Sequence, residues 1–344
     1  MADIIINPFD EYGFTPATLT EKINKKPATY GMIRNSGIFK PEPVYTSDIV
    51  TTFVNGKIRL LRSKKRSAKP NQKEKSKAER HFFQTVHIPY QGRIWAADLA
   101  RKMKLSGAVM QTLMAEMQKE LEEMKGDHAI TEEFFLVKAL QGVLYDADGT
   151  TLIKNFFDEF GVTKETQNFT LGTGTTDVAK KCKEVVRHIK KNIGGDVMTG
   201  VECICDDVFF DNLTGHAEVK EVWKEHKATV DRVMSGQDPT QSFSFSGITF
   251  REYGASAPHP ETGEALDFIG TGKAHFYPAG TQRTAKLYYS PAEDFDSAGQ
   301  LGKPLYVRQT MNDKKKWVDV DTEQNLFPIW TRPECLVEGD DGIA

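Results

Sequence analysis

The pattern of apolar and polar positions changes character several times along this chain. Residues 1–46 keep no period, and Pro8, Pro16, Pro27, Pro41 and Pro43 interrupt them repeatedly. They read as an extended arm with a short helix near 17–25, too poor in periodic apolar positions to build a core of its own. Residues 47–54 read as a strand, Asn55-Gly56 as a hairpin turn and 57–61 as a second strand. After a polar stretch, "HFFQTVHIP" (81–89) returns as a strand. A helix is predicted over 94–103. A longer one comes next, with Leu105-Ser106 as staple and N-cap and Met110 placed to meet Leu105. Val109, Met110, Leu113, Met117, Leu121 and Met124 keep helical spacing, Gly126 is the expected stop, and Thr131 is expected to cap the next short helix, "EEFFLVKAL".

The second half is mixed. "GVLYDADGTTLIKNFFDEFG" (142–161) reads as two strands about an Asp-Gly turn, and "TDVAKKCKEVVRHIKKNI" (176–193) as an amphipathic helix stopped by Gly194-Gly195. "MTGVECICDDVFFDNL" reads as a strand running into a helix, and another helix is expected over roughly 214–234. From 242 onward short alternating segments predict β-structure, ending in a strand near "NLFPIWTRPECLVE". The fold class is α+β, with no internal repeat.

Length and charge sharpen this picture. The chain has 344 residues, enough for two or three domains with a sizeable core. No apolar run approaches the ~18 residues of a membrane helix, and the N-terminus carries acids where a signal peptide carries bases. A product that stays in the cytoplasm is therefore expected. The net charge of −3 is unevenly spread: residues 62–80 hold nine Lys/Arg and two Glu, a local +7, which leaves about −10 on the rest. That excludes a uniformly basic DNA binder and describes an acidic body with one basic tongue. With roughly sixteen residues per arm at ~3.3 Å each, the hairpin over 57–88 can reach up to ~50 Å. A compact body of this length has a radius of gyration of only about 20 Å.

The sharpest catalytic candidate is "VLYDADGT" (143–150). It resembles the first motif of haloacid-dehalogenase-type phosphatases. In that reading Asp146 is the nucleophile and Asp148 the general acid/base, with Mg²⁺ held partly by the acids of "VECICDD" and phosphate met by Lys190 or Lys191. Against it, about 140 residues of different character precede the motif, and the segment after Gly149 looks like a returning strand rather than a helix. "DADG" also lacks the Gly offset and closing Glu of a calcium loop, and "TLGTGTTD" lacks the Lys of a P-loop. Cys182, Cys203, Cys205 and Cys335 have no metal-ligand spacing and read as reduced core thiols. The basic tip has no interleaved aromatics, so any contact with nucleic acid is limited to phosphates.

The order of these parts resembles the lambda-type major head protein family of tailed phages, the E-type capsid family. The resemblance runs nearly end to end. It rests on "FVNGKIRLL" leading into the tongue, "GVLYDADGTTLIKNFFDEFG", "CDDVFFDNLTGHAEVKEVW", "AHFYPAGT" and "NLFPIWTRPECLV". It implies the HK-97-like fold, with residues 1–46 as N-terminal arm, 47–56 as a peripheral-domain strand and 57–88 as the extended E-loop. Residues 89–194 would hold the spine helix (106–125, or on through 141) and peripheral domain, 195–270 the axial domain and 271–344 the C-terminal part of the peripheral domain. It implies a structural subunit with no enzymatic activity, no cofactor and no metal. Such a subunit would assemble in the host cytoplasm through pentamers and hexamers into the icosahedral head of a phage or prophage. The implied partners are further copies of itself, a scaffold, a portal, a decoration protein and the packaged double-stranded DNA, held non-specifically. No membrane is involved. The assembly residues are then the tongue's bases, Lys64, Lys65, Arg66, Lys69, Lys73, Lys75, Lys77 and Arg80, which would meet acidic surface on a neighbour. Some shells of this fold carry Lys–Asn isopeptide bonds; none is expected here, because no partner Asn stands out.

Overall fold

A computed structural model describes residues 19–20, 23–24, 31–54, 78–98, 100–101, 109–233 and 242–343. The chain begins with α1 (Met32–Ser36), β1 (Lys40–Pro43), β2 (Asp48–Val54), β3 (Ala78–Gln84), β4 (Val86–Trp95) and the long α2 (Val109–Leu140). It continues with β5 (Val143–Tyr145), β6 (Leu152–Asn155), α3 (Phe156–Glu159), β7 (Glu165–Asn168), α4 (Val178–Asn192), β8 (Gly200–Cys205), α5 (Asp207–Gly215) and α6 (Ala217–Val233). The β-rich remainder is β9 (Ser242–Phe245), β10 (Ile248–Glu252), β11 (Ser256–Pro258), β12 (Ala265–Asp267), β13 (Lys273–Ala279), β14 (Ala285–Tyr289), β15 (Tyr306–Met311), β16 (Trp317–Trp330) and β17 (Val337–Asp340). The α+β expectation holds. The turn at Asn55-Gly56, the strand over 57–61 and the cap at Leu105-Ser106 lie outside the described residues.

Helix α2 is a single element of 32 residues, ~48 Å long. Gly126 does not end it, and Thr131 starts no new helix: its hydroxyl donates to the Asp127 carbonyl at 2.8 Å, inside α2. Packing overrides the weak position. Met117, Leu121 and Met124 before it are buried, as are Ala129, Phe134, Phe135, Leu136 and Val137 after it. The helix is therefore held on both sides of Gly126.

That apolar stripe meets a sheet ordered β1-β14-β16-β15, with β4 also paired to β16. Met117, Leu121 and Met124 form one cluster with Leu19 and Ile23 of the arm and with Leu305, Val307, Val318 and Val320. The rest of α2 enters the main core with Phe327, Ile329 and Trp330. Strand β4 runs to Trp95, past the start expected for a helix over 94–103, because Ile94 and Trp95 pair with Val318 and Trp317. Helical backbone begins only at residue 96.

A second sheet, ordered β7-β17-β13-β8-β10-β9, has its own core. Its helix α4 buries Val178, Cys182, Val185 and Ile189, one face at helical spacing, and is capped by the Asp177 carboxylate accepting from the Lys180 amide at 2.7 Å. The helix expected over 214–234 is α6, which starts at Ala217 after α5 ends at Gly215. All four cysteines are buried free thiols. Burial pushes Cys182 and Cys335 up to about 12 and raises Cys203 as well.

A buried polar node fastens α1 to α2. The Glu133 carboxylate accepts from the amides of Ile33 (2.7 Å) and Arg34 (3.0 Å) and from the Tyr253 hydroxyl (2.9 Å). Neighbouring Glu132 accepts from Tyr289 (3.0 Å) and Gln324 (2.6 Å) and pairs with Arg34 Nε at 3.2 Å. Burial raises the Glu132 pKa, and the Arg34 charge acts against that rise.

Candidate assembly interface

The two arms that bracket the basic run pair as an antiparallel ribbon, β2 with β3, in a register from Asp48↔Gln84 to Val54↔Ala78. Among the described residues the strand that pairs with the returning arm is 48–54, which the family resemblance assigns to the peripheral domain, ahead of an extended loop over 57–88. The segment "HFFQTVHIP" is divided between β3 and β4 at Thr85, whose amide donates to the Ser47 carbonyl at 3.0 Å. A two-stranded ribbon is marginal in water unless one face is packed. Here alternation supplies that face: Ile49 and Phe83 point inward and are buried. Phe83 stacks on Phe327 at 5.3 Å between ring centroids, and the Lys154 ammonium lies 5.4 Å from its ring. His81 Nδ1 meets Glu159 at 2.8 Å, and Lys154 pairs with the same carboxylate at 2.6 Å. Burial alone would raise Glu159, but its hydrogen bonds to Lys154 and His81 bring it below the usual carboxylate range.

The outer face of the ribbon is open. Val50 and Phe82 stand directly opposite one another and are 54% and 68% exposed. Arg80 lies two residues from Phe82 on that same face and is exposed. Lys64, Lys65, Arg66, Lys69, Lys73, Lys75 and Lys77 lie outside the described residues.

Beside the ribbon root, the loop between β14 and β15 carries Phe295 fully exposed, with Glu293 and Asp296 exposed on either side. Asp294 turns inward, pairs with Arg308 at 2.5 Å and accepts from the Ser297 amide at 2.6 Å. Partial burial works against its ionisation, yet the bonds from Ser297 and Arg308 hold Asp294 below its ordinary pKa. The loop's ends are tied down by Gly302 N–H donating to the Val44 carbonyl (2.9 Å) and Asn325 donating to the Pro291 carbonyl (3.0 Å). A cavity of about 490 Å³ separates Phe295 and Ala298 from Tyr45 and Ser47 at the ribbon root. The sequence pattern does not single out this loop, because "EDFD" has no period; an aromatic enclosed by acids between Pro291 and Gly299 is its one signal.

The catalytic alternative loses its geometry. Strand β5 belongs to a two-stranded antiparallel pair with β6, not to a parallel sheet, and the chain after Gly149 returns as β6. Gly149 takes φ +69°, a left-handed turn position. Asp148 closes that turn by accepting from the amides of Thr150 and Thr151, both at 2.8 Å, and from the Thr151 hydroxyl. The Thr151 and Thr150 bonds pull its pKa down to about 2, so it is a poor proton donor. Asp206 caps α5 and also accepts from Gly272 N–H at 3.0 Å, while Lys190 and Lys191 end α4 on the surface. No group of three or more His, Cys, Asp or Glu among the described residues is placed to hold a metal ion.

What remains is a long helix on a sheet, a second sheet unit and an anchored ribbon with an open outer face. A family model described as phage major capsid protein E matches residues 15–340. The chain belongs to that family. The major capsid protein of Pseudomonas phage KPP10 is 24% identical over 344 residues, covering 96% of this chain and 98% of the relative. The major capsid protein of Salmonella phage Felix O1 is 24% identical over 352 residues, covering 94% and 95%. Among solved structures, the putative capsid protein of a prophage of E. coli CFT073 superposes with a TM-score of 0.56 at 12% identity, covering 95% of this chain and 98% of that one. The fold is HK-97-like, as the resemblance implied. As a capsid E protein the chain is a major capsid protein, a structural component of the virion, and the phosphatase reading falls. No helix among the described residues is long and apolar enough to cross a membrane.

Proposed function

We propose that this capsid E protein closes through pentamers and hexamers into an icosahedral head around double-stranded DNA, and that the basic tongue is the reaching part of that assembly. The observation that carries this is the ribbon. Its inner face is fixed to its own subunit through Ile49, Phe83 and His81, while its outer face stands open and leads into the basic run. The bases Lys64 to Arg80 then meet acidic surface on a neighbouring copy. Opposite charges steer encounter and register more than they add affinity. Many weak contacts of one type, repeated around rings, yield a stable shell in which errors remain correctable.

In this reading residues 1–46 are the arm, the ribbon and its tip the E-loop, and α2 the spine. Residues 195–270 form the axial part, joined to the rest through β13 and β17. The acidic body suits a container that must not grip its cargo, so DNA is enclosed rather than bound. Scaffold, portal and decoration proteins are the expected further partners, and assembly takes place in the host cytoplasm. The role is structural, without catalysis.

Sedimentation velocity of the purified full-length chain, with electron microscopy of any fast fraction, tests this. Rings of five or six, tubes or closed shells are expected, and deleting 64–79 should abolish or deregulate them. A species that stays monomeric at high concentration, with or without the other head proteins, overturns the proposal.

A further inference from the structure

Several large apolar side chains stand exposed among the described residues, and two of these sites lie in charged surroundings. One is the outer face of the β2–β3 ribbon, with Val50 opposite Phe82 and Arg80 next along the face. The other is Phe295, the most exposed large apolar side chain among the described residues, set in the run Glu293-Asp294-Phe295-Asp296. A solvated aromatic adds nothing to its own chain's core, and patches of this kind mark contact surfaces. Phe295 is also presented rather than loosely displayed, because Asp294 anchors the loop to Arg308 and Ser297 and both ends of the loop are hydrogen-bonded to the body. Each patch is an apolar centre with a charged rim. The ribbon's rim holds Asp48 at its root side and Arg80 at the side that leads into the basic run, while the loop's rim, Glu293 and Asp296, is wholly acidic and so matches the Arg80 side. On a single copy both stay exposed, so their match is made between copies.

We propose that the ribbon of one copy docks on the Glu293–Asp296 loop of a second copy, with Phe295 seated against Val50 and Phe82, and with Glu293 and Asp296 facing Arg80. This rests on the shell reading above and names the surface that receives the tongue's root. The contact joins two different patches, so it is heterologous and propagates from copy to copy. Phe295 is the central anchor, water-excluded once docked, and the charges set orientation and rate.

The experiment uses full-length chains carrying Phe82→Cys and Phe295→Cys, singly and together; the four natural cysteines are buried. Assembled material is treated with a thiol oxidant and run on a non-reducing gel. The double variant should give a ladder of covalent multimers that neither single variant gives. A second arm measures assembly by light scattering at low salt. Arg80→Glu should slow it about tenfold, Glu293→Lys with Asp296→Lys should do the same, and combining all three should restore the rate. Particles that form without a ladder, a ladder from either single variant, or failure of the combined variant to recover overturns the docking while the shell reading stands. A wild-type chain that forms no ring or particle overturns the shell reading, and the docking falls with it.

Discussion

The node of Glu132, Glu133 and Arg34 is the place where one side chain carries most consequence. Two adjacent carboxylates are buried: Glu132 pairs with the Arg34 guanidinium, and the arm's α1 hangs on Glu133 through the amides of Ile33 and Arg34. Removing one partner of a buried pair strands the other charge, at a cost of about 3 kcal/mol. Arg34→Met should therefore lower the unfolding free energy by about that amount at pH 8. Burial already raises the Glu132 pKa above its ordinary value while the Arg34 charge acts against that rise, so losing Arg34 raises it further. The stranded charge is thus most costly at high pH and is relieved as pH falls, so the deficit should shrink at pH 5. Urea unfolding of wild type and variant at the two pH values checks this; an equal deficit at both would show that Glu132 is not the group left stranded. The cap was not legible from composition, since Glu132 and Glu133 read as two more acids on a charged helix.

At the scale of elements, α2 shows how tertiary burial decides continuity. Gly126 costs the helix roughly 0.5–1 kcal/mol relative to Ala, and locally it reads as a stop. It lies inside the helix, and nothing comes within 4 Å of where its Cβ would stand. Gly126→Ala should raise stability by about 0.5–1 kcal/mol, seen as a higher urea midpoint at unchanged slope, with no loss of packing. The amphipathic α4 and the β5–β6 hairpin were legible because their signals are local: one apolar face, an Asp cap, an Asp-Gly turn. The pairing of β2 with β3 is not foreseen by the local pattern, which turns 47–54 at Asn55-Gly56 into a strand over 57–61 and begins the tongue at 57. Both strands carry a local signal, but which face turned inward depended on Ile49 and Phe83 joining the main core, where Phe83 meets Phe327 far along the chain.

At the scale of the whole molecule, two buried histidines join distant parts and make the fold acid-sensitive. Burial lowers His128, on α2 against Thr322, to about 4, and lowers His275, in the middle of the second sheet, to about 3. The folded chain keeps both neutral where the unfolded chain, with ordinary values near 6.5, takes up protons. Stability is therefore full above about pH 6.5 and falls as pH drops toward 4. Between pH 7.5 and 5 each group accounts for about 2 kcal/mol of that fall. His128→Gln should remove one such share, measured as a smaller difference between the urea unfolding free energies at the two pH values. Shells built from this subunit should loosen in acid for the same reason, since contacts between copies rest on folded copies.

Taken alone, the chain's residues determined what is set by near neighbours: an α+β class, the amphipathic helices, the Asp-Gly turn that displaced a phosphatase motif, and a basic run on an acidic body. Together with the order of its parts, that was enough to place it in the capsid E family. The tertiary structure decided everything that depends on residues far apart in the chain. It ran α2 unbroken through Gly126, extended β4 to Trp95 on β16, joined β13 and β17 to the sheet of β8, and buried Phe83 while leaving Phe82 outside. Exposure is the clearest case. Phe82 and Phe83 are the same residue type in adjacent positions, and Phe295 reads like any other phenylalanine. Which of them is core and which is surface is fixed by what folds back against it.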